Sequence, residues 1–504
     1  MDNKYDVIVV GAGNGGLAAA ANTAKAGLKT LLLEKHNLPG GCATSFRRGR
    51  FEFEPSLHEL CSVGTAEKPN TVYKVLDDLG AKINWEYEHD IFRVINKAGK
   101  YDLVLKAGIE AFCQSVDDAV PGCKENVRAF LKLKPKIDAA IAYIYEMKGK
   151  PKGLTMLLKH TDFMRVAGHS VEQVMTALGI PKAAQDIINT YWGYLGVPTD
   201  ELNAMHFPNM VHDYVVDGAA MPRHRSHELS LALVDVIVKN GGEVRFNSEV
   251  TKFLYHEDGS VAGVVANGEE LYSKEVISNV IPNNVFNMSD QSVIPQQNLK
   301  LANARDFGIS VATIYLGLDC TAEELGLKDY TVFIQGHPDP RTQNDTRMDD
   351  GLYIVNCLNN VIPDSSPEGT CTLFFTMPIY GGDVPKDLKP EDYKKYKNAL
   401  AKKYIEDAEK QLNISIMPHI EEISVATPVT FARYLGTPEG TIYGYRLSGW
   451  DNLMARTAGE KTDYAIPGLS FCGGHYIRGD GYSCAYIMGD TIGKRVAKRI
   501  KGGA

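Results

Sequence analysis

The chain has 504 residues, of which 23% are charged and 44% hydrophobic, with 47 Gly and 23 Pro. These proportions exclude a disordered, collagen-like or disulfide-scaffold chain, and the length suggests two to four domains, or one large domain carrying an inserted second one. The 54 Lys+Arg against 62 Asp+Glu give a net charge of -8, which argues against a nucleic-acid partner, because phosphate binding needs a basic surface. Nine cysteines without a CxxC pair indicate neither a zinc ribbon nor a disulfide framework, so no metal is expected and the setting reads as reducing and cytoplasmic.

The opening MDNKYDVIVVGAG lacks the basic leader and cleavage site of a signal peptide, and no apolar run of about 18 residues is present to span a membrane. Tyr5 to Val10 is apolar and β-branched, as expected of a strand buried on both faces of a parallel sheet. An alanine-rich helix from Gly15 to Ala26 and a second strand, Lys29 to Glu34, complete a βαβ unit. From about Lys68 to Asp217 the pattern is largely helical, with a lysine- and leucine-rich piece from Lys148 to Lys159 that reads either as a solvated loop or as a contact with anionic headgroups. Glu228 to Lys239 is an amphipathic helix, followed by strand-like runs separated by glycine turns. Further strands (VATIYLGL, LYIVNCL, TLFFTMPI), a charged helix from Pro390 to Leu412, an exposed loop from Gly336 to Gly351, and a final basic helix from Ile487 to Ile500 complete the chain.

Gly11, Gly13 and Gly16 form a G-x-G-x-x-G directly after a buried strand and at the start of a helix. The first glycine permits the tight turn, the second lets backbone approach a pyrophosphate, and the third allows close helix packing; the helix N-terminus then faces the phosphates. Glu34, about 20 residues on, stands where a carboxylate accepts from ribose hydroxyls. A dinucleotide is therefore expected. No second fingerprint with a βαβ frame occurs, so electrons would have to pass between the bound cofactor and an unidentified external donor or acceptor.

The segment after Glu34, KHNLPGGCATSFRRGRFEFEPSLHEL, resembles the FAD-binding start of the flavoproteins that include amine oxidases, phytoene desaturase, carotenoid isomerase and retinol saturase, and is most similar to retinol saturase-like bacterial members. Asn189 to Phe207, Asp217 to Val250, and the closing IPGLSFCGGHYIRGDGYSCAYIMGDTIG carry the resemblance to the C-terminus. It implies an α/β protein with a discontinuous Rossmann-like FAD-binding domain, residues 1–70, 215–290 and 455–504, and a sheet-and-helix substrate domain, 71–214 and 291–454. It assigns cofactor contacts to Gly11, Gly13, Asn14, Gly16, Glu34, Lys35, Gly41, Cys42, Val250, Gly473, Gly474, His475, Gly481 and Tyr482, with Cys42 read as a small packing residue. Two positions depart from the family pattern. Arg223, His224 and Arg225 replace a glycine-rich turn on the substrate side, and His475 stands where relatives carry an acid.

The implied activity is an FAD-dependent oxidoreductase acting on carbon-carbon double bonds of an isoprenoid or polyene lipid. The alternatives are a redox-neutral isomerase of a polyunsaturated lipid or fatty acid and, less favoured for want of an aromatic pair beside the closing turn, an amine oxidase. His58 and the Arg223, His224, Arg225 turn are the candidate catalytic and substrate-anchoring residues, each set against a structural role. The substrate is expected to be a hydrophobic small molecule, with peripheral membrane contact as a corollary.

Overall fold

The computed structural model describes residues 4–147, 150–345, 351–447, 449–479 and 481–502. The first strand, β1 (Lys4–Val10), leads through the glycine turn into helix α1 (Asn14–Lys25) and back into β2 (Thr30–Leu33). Val7 to Val10 and Thr30 to Leu33 are all buried, which explains why both strands read as continuous apolar runs rather than alternating ones. Around them forms a seven-stranded sheet whose core is parallel: Glu269–Ser278 pairs with β1, β1 with β2, β2 with Glu243–Arg245, and Leu469–Phe471 joins the far side of Glu269–Ser278. A hairpin, Val250–Tyr255 and Val261–Ala266, extends it antiparallel.

The last helix, Gly481–Ile500, packs along α1 over small residues. A Cβ at Gly489 would lie 2.2 Å from the Gly15 carbonyl oxygen, and one at Gly493 would lie 2.7 Å from that of Ala19. The backbones approach so closely because neither helix carries bulk at the seam. Asn22 Nδ2 donates to Asp490 Oδ1 across it at 3.1 Å. This helix begins at Gly481, six residues before the expected Ile487, so Tyr482 is in its first turn.

A second seven-stranded sheet runs in the order Ile420–Ala426, Ser310–Leu318, Cys371–Ile379, Leu352–Cys357, Thr331–Gln335, Asp90–Asn96 and Tyr101–Lys106. All its pairs are antiparallel except Thr331–Gln335 with Asp90–Asn96. Val311, Tyr315, Phe374 and Ala426 of this sheet pack with Phe51 and Phe53, and its other buried apolar residues divide between two clusters. One joins Phe333, Leu352 and Ile354 to the helices between Ile109 and Asp217, and the other joins Ile314, Val355 and Phe375 to the helix Tyr393–Leu412.

Two sequence expectations need correction here. The stretch from Lys68 to Asp217 is helical for much of its length, yet it donates the hairpin Asp90–Asn96 and Tyr101–Lys106 to the second sheet. DIFRVIN and YDLVLK are short runs around a lysine-glycine turn, and their partner strand comes from more than 200 residues away. The Gly336 to Gly351 stretch is not a plain exposed loop. Pro340–Gln343 is a helical turn whose Pro340 and Gln343 are buried, and Trp192 Nε1 donates to Gln343 Oε1 at 2.5 Å. Residues 346–350 of that stretch, and Lys148 and Gly149 of the lysine- and leucine-rich piece, lie outside the described residues. Among the described residues no helix is long and apolar enough to cross a membrane.

Candidate functional site

One large cavity, about 1800 Å³, extends from the turns of the first sheet to the helices Leu133–Glu146 and Phe207–Asp217. At one end it is lined by Gly11, Gly13 and Asn14 from the first turn, by Glu34 and Lys35 after β2, and by Gly40, Gly41 and Cys42. Val250, Gly473, Gly474, His475, Gly481 and Tyr482 also line it. Of the residues expected to contact a cofactor, Gly16 alone is not on the wall. A Cβ there would lie 1.9 Å from the Gly11 carbonyl oxygen, so Gly16 serves the packing of helix on turn.

The backbone of this end is tightly determined. Gly11 has φ +93 and Gly40 has φ +121, both in the region that favours glycine. Gly40 N donates to Ala12 O at 2.7 Å, which locks the second glycine turn onto the first. Glu34 accepts from Ala12 N at 2.7 Å through one carboxylate oxygen and from His36 N at 2.9 Å through the other. A carboxylate fixed in this way keeps further lone pairs for hydroxyl donors. Helix α1 has no side-chain cap at Gly13, so the N–H groups of its first turn remain available to an anion at the positive end of the helix. A side chain at Gly13 would lie 2.6 Å from Asn279 Nδ2, and one at Gly15 would lie 2.7 Å from the backbone of Gly473. Only bare backbone fits there. The donor set, the acid and the clearance together fit the adenosine diphosphate portion of a dinucleotide.

Asn279 and Gly15 both line this end and were missed from sequence. Asn279 follows the strand Glu269–Ser278, where its N–H donates to Val10 O at 2.9 Å; a lone Asn after a strand carries no signal of that position. Cys42 presents its carbonyl to Tyr482 Oη at 2.7 Å and to Ser56 Oγ at 3.2 Å. Burial pushes its thiol up to about 12, which suits a packing residue rather than a nucleophile. His475 is buried with Nε2 unpartnered, and burial, with a smaller contribution from the Arg456 charge, lowers its pKa to about 3. It is neutral near pH 7.

The other end of the cavity is rich in aromatic and apolar side chains, His58, Tyr194, Leu195, Met205, Met210 and Tyr214 among them, with Glu59, Lys134, His206 and Asp213 also on its wall. His58 is hydrogen-bonded through Nε2 to Thr376 Oγ1 at 2.8 Å, and its ring lies 5.5 Å from that of Tyr194 and 5.6 Å from that of Phe374. Burial lowers its pKa to about 3, so it is a neutral imidazole in the cavity wall. Tyr191 and Trp192 are fully buried core residues behind this wall. Glu54 holds the approach to it: its carboxylate accepts from Leu57 N at 2.9 Å and from Ser226 N and Oγ at 2.8 Å each.

The Arg223, His224, Arg225 turn does not line this cavity. Arg223 pairs with Glu86 at 2.5 Å and Asp364 at 2.8 Å. His224 is exposed at the start of the helix Arg225–Lys239, its N–H donating to Glu228 Oε2 at 2.9 Å. Arg225 is buried at φ +64, donates through Nη2 to Ser365 O, and lies 3.9 Å from Glu52. The turn expected to anchor a substrate anion thus stands apart from the cavity wall, with each guanidinium held by an acceptor of its own.

Comparison with known proteins agrees with this arrangement. The profile of an NAD(P)-binding Rossmann-like domain matches residues 9–79. The chain is 24% identical over 482 residues to all-trans-retinol 13,14-reductase of Danio rerio, covering 88% of this chain and 78% of that protein. It is 24% identical to chloroplastic prolycopene isomerase of Daucus carota, over 98% of this chain and 80% of that one. It is also 24% identical to a 4,4'-diapophytoene desaturase of Methylomonas sp, over 86% and 83%. Among solved structures, an oxidoreductase from Methanosarcina mazei superposes with a TM-score of 0.65 at 16% identity, covering 97% of this chain and all of that one; this likeness shows the fold.

Proposed function

We propose that this chain, a phytoene desaturase and retinol saturase-like protein by its sequence likeness, is an FAD-dependent oxidoreductase that adds hydrogen across a carbon-carbon double bond of a polyene lipid. The observation that carries the reading is the continuity of the cavity, which joins two glycine turns suited to a dinucleotide with an apolar aromatic wall. FAD bound there would supply hydride when reduced. Gly11, Gly13 and Gly15 would leave room for its pyrophosphate, the first turn of α1 would donate to it, and Glu34 would accept from its ribose. Gly473, Gly474 and Tyr482 would flank the flavin end. The aromatic wall would hold the polyene and exclude water. Residues 1–70, 215–290 and 455–504 then act as the FAD-binding domain, and 71–214 with 291–454 as the substrate domain.

A lipid substrate has to be collected from a membrane. Leu154, Leu157 and Leu158 are 69%, 62% and 71% exposed on the short helix Gly153–Lys159, and Met164 of the adjoining helix is 52% exposed. Lys152 and Lys159 flank the three leucines. Lys150, Pro151 and Phe163 of the same region line the cavity. We take this edge as a peripheral contact with an anionic bilayer and as the entrance for lipid.

The test is a single turnover. Anaerobically reduced protein mixed with a polyene such as retinol should show flavin reoxidation stoichiometric with a product about two mass units heavier, as hydride plus proton addition requires. Many turnovers from one charge of reduced flavin, with a product of unchanged mass, would replace the reductase by the isomerase.

A further inference from the structure

At the aromatic end of the cavity, with Glu59 on its wall, lies a group of buried polar side chains that no part of the cofactor site uses. Three remote segments bring it together. Ala220 exchanges backbone hydrogen bonds with Leu60 at 2.9 and 3.2 Å, and on its other side pairs with Tyr87 in the two-stranded sheet of Trp85–Tyr87 with Ala220–Pro222. Glu88 N donates to Ala219 O at 3.1 Å. Glu59 and Glu88, each next to one of these paired residues, therefore converge. Both are buried, at 5% and 9% exposure.

Neither oxygen of Glu59 nor Oε1 of Glu88 makes a hydrogen bond of good geometry, and the hydroxyls of Tyr191 and Tyr194 beside them are likewise buried and unpartnered. The groups that face the pair are Tyr191, Tyr194, Tyr214 and Tyr330. Tyr214 Oη is committed to Glu59 O at 3.2 Å, and Tyr330 Oη to His58 O. Among the described residues no lysine or arginine forms an ion pair with either carboxyl. Two carboxylates this close, without a cation and out of water, cannot both be ionised.

We propose that Glu59 and Glu88 form a proton store at the cavity wall, both protonated at rest and sharing the one remaining proton once Glu59 has given up its own, and that the Tyr194 hydroxyl passes the released proton to a carbon of the substrate double bond. Of the tyrosines around the pair, Tyr194 and Tyr214 line the cavity, and of these two Tyr194 has the uncommitted hydroxyl. The inference rests on the reductase reading above. In that addition the electron pair arrives as hydride and the cofactor is left oxidised, to be recharged by an external two-electron donor such as a quinol or a nicotinamide. One proton is still needed at the neighbouring carbon. The Tyr194 O–H bond breaks as the C–H bond forms, the Glu59 O–H bond breaks as the tyrosine hydroxyl is restored, and the negative charge left on Glu59 is stabilised by the proton of Glu88 until water reprotonates the pair. Burial and Glu88 support this direction of transfer: burial raises Glu59 to about 7, and burial with the Glu59 charge raises Glu88 well above the usual carboxylate range. Burial keeps the resting Tyr194 hydroxyl protonated at neutral pH.

The sign of the pH effect follows. A carboxyl whose pKa is raised in the native state holds its proton below the raised value and loses it above, so the reaction slows as pH rises through about 7, and the pair titrates as a unit. The experiment pairs infrared spectroscopy of the purified flavin-containing protein with single-turnover kinetics on retinol. A protonated-carboxyl carbonyl band should be present near pH 6, weaken towards about pH 8, and lose intensity in Glu59→Gln and in Glu88→Gln. Tyr194→Phe should keep retinol binding and slow reduction roughly 100-fold or more, and Glu59→Gln should flatten the pH profile. Absence of the band in wild type overturns the proton store. An unchanged rate and pH profile in Tyr194→Phe overturns the relay. If wild type reduces no polyene while the band is present and is weakened by each Gln variant, the reductase reading falls and the carboxyl pair stands.

Discussion

The two ends of the cavity are built on opposite plans. At the glycine end the acid and the turns are engaged by backbone, and the N–H groups of the first turn of α1 are left for a charged ligand. Glu34 is held by two backbone donors, Gly40 N by Ala12 O, and the clearance at Gly13 and Gly15 is set by Asn279 and Gly473. At the aromatic end Glu59, Glu88, Tyr191 and Tyr194 hold buried polar atoms without good partners. The first plan suits binding, because a preorganised cradle loses little entropy when the ligand arrives. The second suits chemistry, because unpaired buried acids keep protons at neutral pH that exposed acids lose.

The largest expected effect breaks the first plan. Gly13→Val places a branched side chain where a single Cβ already approaches Asn279 Nδ2 to 2.6 Å, in the space through which pyrophosphate would reach α1. The flavin retained per chain should fall by roughly tenfold or more, giving colourless protein, while wild type releases FAD and not FMN on denaturation. Absorbance of the purified protein, followed by chromatography of the released cofactor, measures both. Undiminished FAD in Gly13→Val would show that the glycine turn is not where the cofactor rests.

The same contrast explains what could be read from sequence. The glycine end was legible because its constraints are local: β1, α1, β2 and Glu34 lie within 34 residues, and each requirement falls on one residue type at one spacing. The closing turn was legible through its resemblance to known flavoproteins. The carboxyl pair was not, because Glu59 and Glu88 meet only through the intervening Ala219 and Ala220, and HEL in a sequence draws attention to the histidine. The hairpin Asp90–Asn96 and Tyr101–Lys106 was lost among helices for a related reason, since its partner strand begins at Thr331. The turn at Arg223 misled in the other direction. Three adjacent residues with cationic character suggest an anion site, but Glu86 and Asp364, which occupy Arg223, are brought there by the fold alone.

An intermediate effect is expected at the entrance. Replacing Leu154, Leu157 and Leu158 together by Asp removes apolar surface that is already exposed, so the fold should be kept. Partitioning onto vesicles containing phosphatidylserine should weaken by roughly tenfold or more, with little change in turnover of detergent-dispersed retinol. Co-sedimentation with vesicles of anionic and of neutral lipid tests this. Equal sedimentation of wild type and variant would remove the membrane role from this edge and leave the cavity reading untouched.

The smallest effect is expected at the basic turn, and it sharpens the comparison most narrowly. If Arg223 held an anionic head group, Arg223→Ala would raise KM for an acidic polyene such as retinoic acid and spare its neutral ester. The structure instead gives its guanidinium to Glu86 and Asp364 at a partly exposed position, where ion pairs contribute little and are screened by salt. Both KM values should therefore stay within about twofold of wild type. Steady-state kinetics on the acid and the ester, in the same buffer, decide it. A rise of about tenfold for the acid alone would correspond to roughly 1.4 kcal/mol of lost binding, and would mean that the turn reaches the substrate in a conformation other than the one in which Arg223 meets its two carboxylates. Equal, small changes would leave Arg223 out of substrate recognition and keep it as one side of a structural pair of ion contacts.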